Sequence, residues 1–389
     1  MPTDWVGAPE GARDKLFGAC QARRALENSA RALFARFGYA ELMTPALERG
    51  ELFERTGLPM PAENMCRFVG RDGRLVVMRP DSTAPAARVA AARLAGRPMP
   101  LRLYYIQDIY RADDEHTGRP AEIRQAGVEL IGAPGRRADL EVLSLAARTL
   151  FALGVADFRI ELGHAALFRA LSQRLDIDGA DREELRALIE QKNFAALGDR
   201  LSGFENRPVR EAIGRLCMLF GGREVFREAG LLGVPEADAA LNDLKETYAA
   251  LENAGFGGRI QIDLGLVHQM DYYTGVVFRG YAAGVGRAVL TGGRYDNLMG
   301  ALGRSAPATG FAVDLDALCD RLPVPEAAGP ETLIHFSPEH LQTALALLDT
   351  RPRAELSPCG TLAASRALAR ARNLMRLINA DADGEEESL

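Results

Sequence analysis

The chain has 389 residues, of which 47% are hydrophobic and 26% are charged, and its formal net charge is −6. This length predicts two or three domains with ample core, and the composition is that of a globular protein. No apolar run reaches eighteen residues, as a membrane span would require, and the first residues do not have the pattern of a secretory signal. The sequence also has no lysine–arginine block of the kind that binds nucleic acid. We therefore expect a cytoplasmic protein with neither a membrane nor a nucleic acid as partner.

The cysteines and histidines are scattered along the chain. There are five of each, and no two cysteines have the spacing of a metal site or a redox pair. An odd, dispersed set is typical of reduced thiols that pack as small apolar residues. The sequence therefore predicts no metal and no cofactor.

Hydrophobic periodicity predicts the elements of the N-terminal third. In chain order they are a helix over 12–37, a strand over 39–44, a hairpin over 66–79 and a helix over 82–94. Next come apolar runs at 101–110 and 123–131 that flank the polar stretch 112–122. This pattern predicts an antiparallel hairpin with a long, mobile loop, and loops of that length are often functional.

The remaining elements alternate between helices and short strands. They are predicted as a helix over 138–153, a strand over 158–162, helices over 165–255, strands at 259–264, 275–281 and 286–291, a glycine-rich turn at 291–296, and a helix from Asp314. Beyond these, a strand at 332–336 and helices at 338–350 and 362–378 predict a small α/β unit.

Hairpins join most of the predicted strands, which favours an α+β fold with an antiparallel sheet flanked by helices. The predicted domains are a core of 1–164 and 256–325, a helical insertion of 165–255, a reduced C-terminal α/β module of 326–380, and a disordered acidic tail of 381–389.

One predicted strand carries residues suited to bind an amino acid. Because side chains alternate along a strand, Gln125, Gly127 and Glu129 share a face, and Gly127 is expected to leave open space there. Arg111 ends the opposing strand. The carboxylate and amide suit an ammonium group, and the guanidinium suits an anion. The alternative is a surface ion pair across a hairpin.

Further candidates lie outside that hairpin. Asp81 and Thr83 follow Pro80, and extended backbone there would place both on one face; the alternative is a cap on the following helix. Tyr272 and Tyr273 offer flat rings with polar tips, with core packing as the alternative.

Taken in order, these blocks resemble the catalytic domain of class II aminoacyl-tRNA synthetases of the histidyl type, over about residues 10–320. Residues 37–45 resemble motif 1, 110–129 motif 2, 266–273 the histidine signature, 291–296 its companion block, and 310–318 motif 3. The resemblance implies a dimer through motif 1. It also implies histidine contacts at Asp81, Thr83, Gln125, Glu129, Tyr272, Tyr273 and Tyr295, with Arg111 on a carboxylate or α-phosphate.

The chain departs from the synthetase pattern where phosphate is bound. His268, Ala317 and Ala121 stand where the family has arginines, and Asp314 replaces a glycine. Losing one preorganised donor typically costs ~10²–10³-fold in rate, so we expect no adenylation. Whether His268 contacts the ligand or only packs stays open.

This combination resembles the family of regulatory subunits of the short-form ATP phosphoribosyltransferase. The resemblance implies a catalytic partner subunit, its activation, and feedback inhibition by histidine in the first step of histidine biosynthesis. The alternatives are an active histidyl-tRNA synthetase and a scaffold protein that senses no ligand.

Overall fold

The computed structural model describes residues 7–9, 11–56, 62–112, 120–230, 235–267, 272–321, 329–382 and 384–389. The chain forms two compact units. The first comprises residues 1–15 and 22–323, and the second comprises residues 16–21 and 324–389. No helix in the described ranges is long and apolar enough to cross a membrane.

The elements up to residue 164 follow the predicted order closely. They are α1 (Gly18–Arg36), β1 (Ala40–Glu41), β2 (Leu47–Arg49), α2 (Gly50–Arg55), β3 (Arg67–Val69), β4 (Leu75–Met78), α3 (Thr83–Ala92), β5 (Leu101–Tyr110), β6 (Glu122–Ile131), α4 (Arg136–Ala152) and β7 (Phe158–His164).

The next segment is almost wholly helical, as predicted for 165–255, apart from one two-residue strand. It contains α5 (Ala165–Ser172), α6 (Gly179–Glu190), α7 (Phe194–Ser202), α8 (Arg207–Leu216), β8 (Phe220–Gly221), α9 (Glu224–Ala229) and α10 (Pro235–Leu251). Strands then return, with two short helices among them. The elements are β9 (Ile260–Asp263), β10 (Val276–Ala282), β11 (Leu290–Arg294), α11 (Leu298–Ala301), β12 (Ala308–Asp314) and α12 (Leu315–Cys319).

Nine of these strands form one sheet, in the order β1-β5-β6-β12-β11-β10-β7-β9-β8. The six consecutive strands β5-β6-β12-β11-β10-β7 are joined by five antiparallel pairings. Two pairs towards the edges, β1 with β5 and β7 with β9, are parallel. The predicted α+β class is confirmed, with a sheet that is mixed near its edges. The remaining strands β2, β4 and β3 form a separate three-stranded sheet.

The two faces of the nine-stranded sheet have different characters. On one face, Tyr104, Ile106 and Val128 join the main core together with apolar residues of α1 and α4. Because side chains alternate, the intervening residues Tyr105 and Glu129 project from the other face. The apolar face anchors the sheet, and the second face carries polar and aromatic side chains beside a second, smaller apolar cluster.

The predicted glycine-rich turn at 291–296 was wrong, because residues 290–294 form strand β11. A Cβ on Gly292 would lie 2.5 Å from Cζ of Phe278, and one on Gly293 would lie 2.7 Å from Cδ1 of Tyr273. These glycines therefore serve close packing inside the sheet and do not mark a reversal of the chain.

The second unit is a small α/β module. Its elements are β13 (Thr332–His335), α13 (Leu341–Thr350), β14 (Ala354–Leu356), α14 (Leu362–Ala371), β15 (Arg376–Asn379) and β16 (Glu385–Ser388). The sheet order is β14-β13-β15-β16, with β13 parallel to both neighbours. The end of the helix predicted over 362–378 is thus strand β15.

The expectation of a disordered acidic tail at 381–389 was also wrong. Strand β16 pairs antiparallel with β15. Glu386 forms ion pairs with Arg351 and Arg376, at 2.6 and 3.4 Å, and Glu387 pairs with Arg366 at 2.7 Å. Acidic composition predicts disorder only when its charges repel without compensation, and here arginines from the module compensate them.

Candidate functional site

The candidate site lies on the second face of the sheet, across β5, β6 and β12. In the register, Gly127 faces Tyr105 on β5, and Gly310 on β12 faces Glu129. A Cβ on Gly127 would lie 2.5 Å from the hydroxyl oxygen of Tyr105, and one on Gly310 would overlap a carboxyl oxygen of Glu129. The space expected beside Gly127 is therefore filled by the Tyr105 ring.

Glu129 is the most deeply buried acid of the site, with 1% of its surface exposed. Tyr105 donates its hydroxyl to Oε1 at 3.2 Å, and Tyr295 donates to Oε2. Burial raises the pKa of Glu129 to about 8, against the lowering effect of the Tyr295 and Thr83 hydroxyls. An uncompensated carboxyl in this environment favours its neutral form.

Asp81 has two roles in the structure. Its Oδ1 accepts from the backbone amides of Thr83 and Ala84, at 2.7 and 3.2 Å, so it caps α3. Of the two alternatives that the sequence left open, the structure shows the cap, because the intervening Ser82 already has helical angles. The charge of Asp81 also contributes to the raised pKa of Glu129, for which burial is the main cause.

Arg111 lies beside Asp81. Its Nε donates to the carbonyl oxygen of Pro80 at 3.0 Å. Burial raises the pKa of the Asp81 carboxyl, and the Arg111 charge opposes that rise. One carboxyl of the site therefore has a cation and two amides around it, whereas the partners of Glu129 among the described residues are all hydroxyls.

Three tyrosines form an aromatic cluster beside Glu129. Tyr272 stacks on Tyr295 with ring centroids 5.2 Å apart and an interplanar angle of 16°. Tyr273 meets Tyr272 edge to face at 5.0 Å. The Tyr272 hydroxyl is buried and has no hydrogen-bond partner among the described residues. A buried donor without a partner is uncommon in proteins, so this hydroxyl is a candidate contact for a ligand or for an ordered water.

The structure describes Gln125 but does not describe His268. Gln125 is half-buried on the same face as Glu129, and its side chain makes no hydrogen bond to any residue that the structure describes. Its neighbour Gln107 is held by Thr44 and Ser82. His268 lies outside the described residues, as do residues 113–119 of the motif 2 loop. The structure thus brings together eight of the nine predicted site residues.

Sequence reasoning missed Tyr105 and Arg294. Tyr105 could have been found from its position opposite Gly127 on the neighbouring strand. That position is known only once the pairing register of β5 with β6 is known. Arg294 precedes Tyr295 and is 7% exposed. Its Nε donates to Oδ1 of Asp139 at 3.0 Å, and its Nη2 donates to the carbonyl oxygen of Gly135 at 3.0 Å. These contacts hold the end of β11 that carries Tyr295.

Replacing Arg294 with alanine is expected to lower the free energy of unfolding by about 3–5 kcal/mol. The change leaves Asp139 as a buried, unpaired carboxylate. Urea denaturation at neutral pH measures the effect, with the exposed Arg71→Ala as the control of equal charge change. A loss no larger than that of the control would contradict a structural role for this pair.

The motif 3 region has no cation at the expected position. Ala317 occupies it, and its amide donates to Oδ1 of Asp314 at 2.8 Å. Asp314 Oδ2 also pairs with Arg287 at 2.7 Å. The start of α12 is therefore already capped by a carboxylate of the chain itself. Ala121 is likewise engaged locally, with its amide 2.7 Å from the carbonyl oxygen of Gly11.

Comparisons with known proteins identify the family to which this chain belongs. The profile of the family described as histidyl-tRNA synthetase matches residues 11–318. The ATP phosphoribosyltransferase regulatory subunit of Clostridium kluyveri is 37% identical over 318 residues, which cover 81% of each chain. That of Bacillus cereus is 34% identical over 392 residues, covering 97% of this chain and 93% of that one. The chain belongs to the family of ATP phosphoribosyltransferase regulatory subunits.

Solved structures agree with membership of this histidyl-tRNA synthetase-like family. A Bacillus halodurans protein described as an ATP phosphoribosyltransferase regulatory subunit/histidyl-tRNA synthetase superposes with a TM-score of 0.84 at 31% identity, covering 97% of this chain and 99% of that one. The histidyl-tRNA synthetase of Nostoc superposes with a TM-score of 0.75 at 18% identity and covers 96% of that chain. The second match shows the fold alone.

Proposed function

We propose that this chain is the non-catalytic, histidine-sensing regulatory subunit of an ATP phosphoribosyltransferase. It activates a separate catalytic subunit and transmits feedback inhibition by histidine in the first step of histidine biosynthesis. The observation that carries the proposal is the buried cluster of Glu129, Tyr272 and Tyr295, in a chain whose α12 has an alanine where an adenylating enzyme needs a cation.

The pocket has the groups that histidine requires. Glu129 and Asp81 supply carboxyl oxygens for the α-ammonium group, and Arg111 supplies a guanidinium for the carboxylate. The buried Tyr272 hydroxyl has no partner among the described residues, and a phenol can hydrogen-bond a ring nitrogen of an imidazole. The stacked rings of Tyr272 and Tyr295 give a flat apolar wall.

Adenylation is disfavoured by charge. The reaction develops negative charge on the α-phosphate, and each missing preorganised donor costs about 10²–10³-fold. Ala317 and Ala121 supply no cation at the positions where the synthetase family has arginines. An active histidyl-tRNA synthetase is the main alternative, and histidine-dependent exchange of pyrophosphate into ATP distinguishes it.

Signalling to the partner requires two arrangements with different affinities for histidine. The motif 2 loop over 112–122 is our candidate for the moving element, because it is long, polar and joined directly to strand β6. We also propose a homodimer through residues 37–45. Met43 in that segment is 82% exposed, which fits a surface covered by a second copy.

Isothermal titration of the full chain is expected to show one histidine site, and pyrophosphate exchange is expected to be absent. Co-purification with the candidate catalytic subunit, followed by assay with and without histidine, tests activation and inhibition. Histidine binding without any effect on the complex would reject the sensor role. Failure to bind histidine would favour a scaffold, and measurable exchange would favour a synthetase.

A further inference from the structure

Glu129 is buried among neutral hydroxyl groups. Its two oxygens accept from the neutral hydroxyls of Tyr105 on β5 and Tyr295 after β11. The Thr83 hydroxyl at the start of α3 is a third neutral partner. Within the part of the chain that the structure describes, no lysine, arginine or histidine forms an ion pair with this carboxyl.

The other titratable groups that face Glu129 do not stabilise a negative charge. Tyr272 is neutral, and its buried position raises the pKa of its own hydroxyl. Asp81 is a second carboxyl, and its charge acts against ionisation of Glu129. Two buried carboxyls that interact cannot both ionise without cost.

The two carboxyls are compensated unequally. Asp81 receives two backbone amides, and Arg111 lies beside it. An ionised carboxylate with no counter-charge is among the most expensive groups to bury, so the acid without compensation takes up a proton. In the empty pocket that acid is Glu129.

Taking the chain to be the histidine sensor proposed above, we propose that Glu129 is protonated in the empty pocket and releases this proton when an α-ammonium ligand binds. The carboxylic acid and the ammonium ligand become a carboxylate–ammonium pair, and one proton goes to solvent. The ammonium supplies the positive charge that the described residues lack around Glu129. Feedback sensing is thereby linked to pH.

The direction of the pH effect follows from linkage. Burial raises the pKa of Glu129 to about 8, so below this pH the ligand must displace a proton before it binds. Affinity for the ligand is therefore expected to rise by up to about tenfold per pH unit as the pH approaches 8, and to level off above it. Acidification weakens the response to histidine.

Titration calorimetry of the full chain with histidine in two buffers of different ionisation enthalpy counts the protons released. At pH 7.5 the expected release is about 0.8 protons, since a group with a pKa near 8 is mostly protonated there. The imidazole of free histidine is mostly neutral at this pH, which limits its own contribution. The affinity measured from pH 7 to 8.5 gives the slope independently.

Glu129→Gln keeps the size of the side chain but cannot release the proton. The number of protons released when this variant binds histidine is therefore expected to be near zero. Because this variant is expected to bind weakly, a second measurement follows the carboxyl carbon of Glu129 in the ligand-free wild type by NMR, with a midpoint expected near pH 8. Histidine binding with no proton release, or a midpoint near pH 4.5, would overturn the linkage and leave the sensor role intact. No histidine binding between pH 7 and 8.5 would overturn the proposed function together with the linkage.

Discussion

Glu129→Gln is expected to weaken histidine binding by about 100-fold or more while making the folded chain more stable at pH 8. The binding loss follows because glutamine cannot pair with an ammonium group, and removing one partner of a buried charged pair costs about 2–5 kcal/mol. The folded chain is expected to become more stable because, among the described residues, no positive charge pairs with the buried Glu129, and glutamine removes the cost of ionising it.

The sign of the stability effect follows from the direction of the pKa shift. Burial raises the pKa of Glu129 from 4.5 to about 8. The stability contributed by its proton is fully present below pH 4.5 and is lost as the pH rises towards 8. Glutamine keeps the neutral form at every pH, so the variant is expected to gain about 2–5 kcal/mol over wild type at pH 8, and little at pH 4.5.

Urea denaturation at pH 5 and pH 8 measures this difference. Glu122→Gln is the matched control, because Glu122 lies on the same strand and is exposed. It is expected to change stability by less than about 0.5 kcal/mol. A Glu129→Gln variant that unfolds at lower urea than wild type at pH 8 would contradict an uncompensated carboxyl at this position.

Gly310→Ala is expected to lower the free energy of unfolding by about 3 kcal/mol or more. A Cβ at this position would overlap a carboxyl oxygen of Glu129 and the carbonyl oxygen of Val128. Neither group moves easily, because Val128 belongs to a central strand and Glu129 is held by two tyrosine hydroxyls. Overpacking a rigid interior costs about 1–3 kcal/mol and more where backbone is involved.

Gly300→Ala is the control for this change. Gly300 lies in α11, and a Cβ there would meet no atom within 4 Å. Alanine is expected to stabilise that helix by about 0.5–1 kcal/mol. If Gly310→Ala unfolds at the same urea concentration as Gly300→Ala, the strands around Glu129 are looser than the structure indicates.

The local pattern of the sequence predicted the strands that build the site. The apolar runs of β5 and β6 identified the central hairpin, and alternation placed Gln125 and Glu129 on one face. The order of the blocks identified the family. These features depend on neighbours within a few residues, which is why they can be read along the chain.

Other assignments needed contacts between distant residues. The glycines at 292 and 293 suggest a turn by composition, yet they lie in a strand because neighbouring side chains leave no room for a Cβ. The acidic residues of β16 suggest disorder, yet arginines from three other segments neutralise them. In both cases a non-local contact outweighs the local preference.

By itself the sequence determined the fold class and the family, and it predicted a set of side chains for an amino-acid site. Only the tertiary structure decided that Tyr105 and Tyr295 bracket Glu129, that the Tyr272 hydroxyl has no partner among the described residues, and that Asp81 caps a helix. The physical reason is desolvation. A carboxyl or hydroxyl carries no mark of its burial in the sequence, and its protonation depends on which charges the folded chain places beside it.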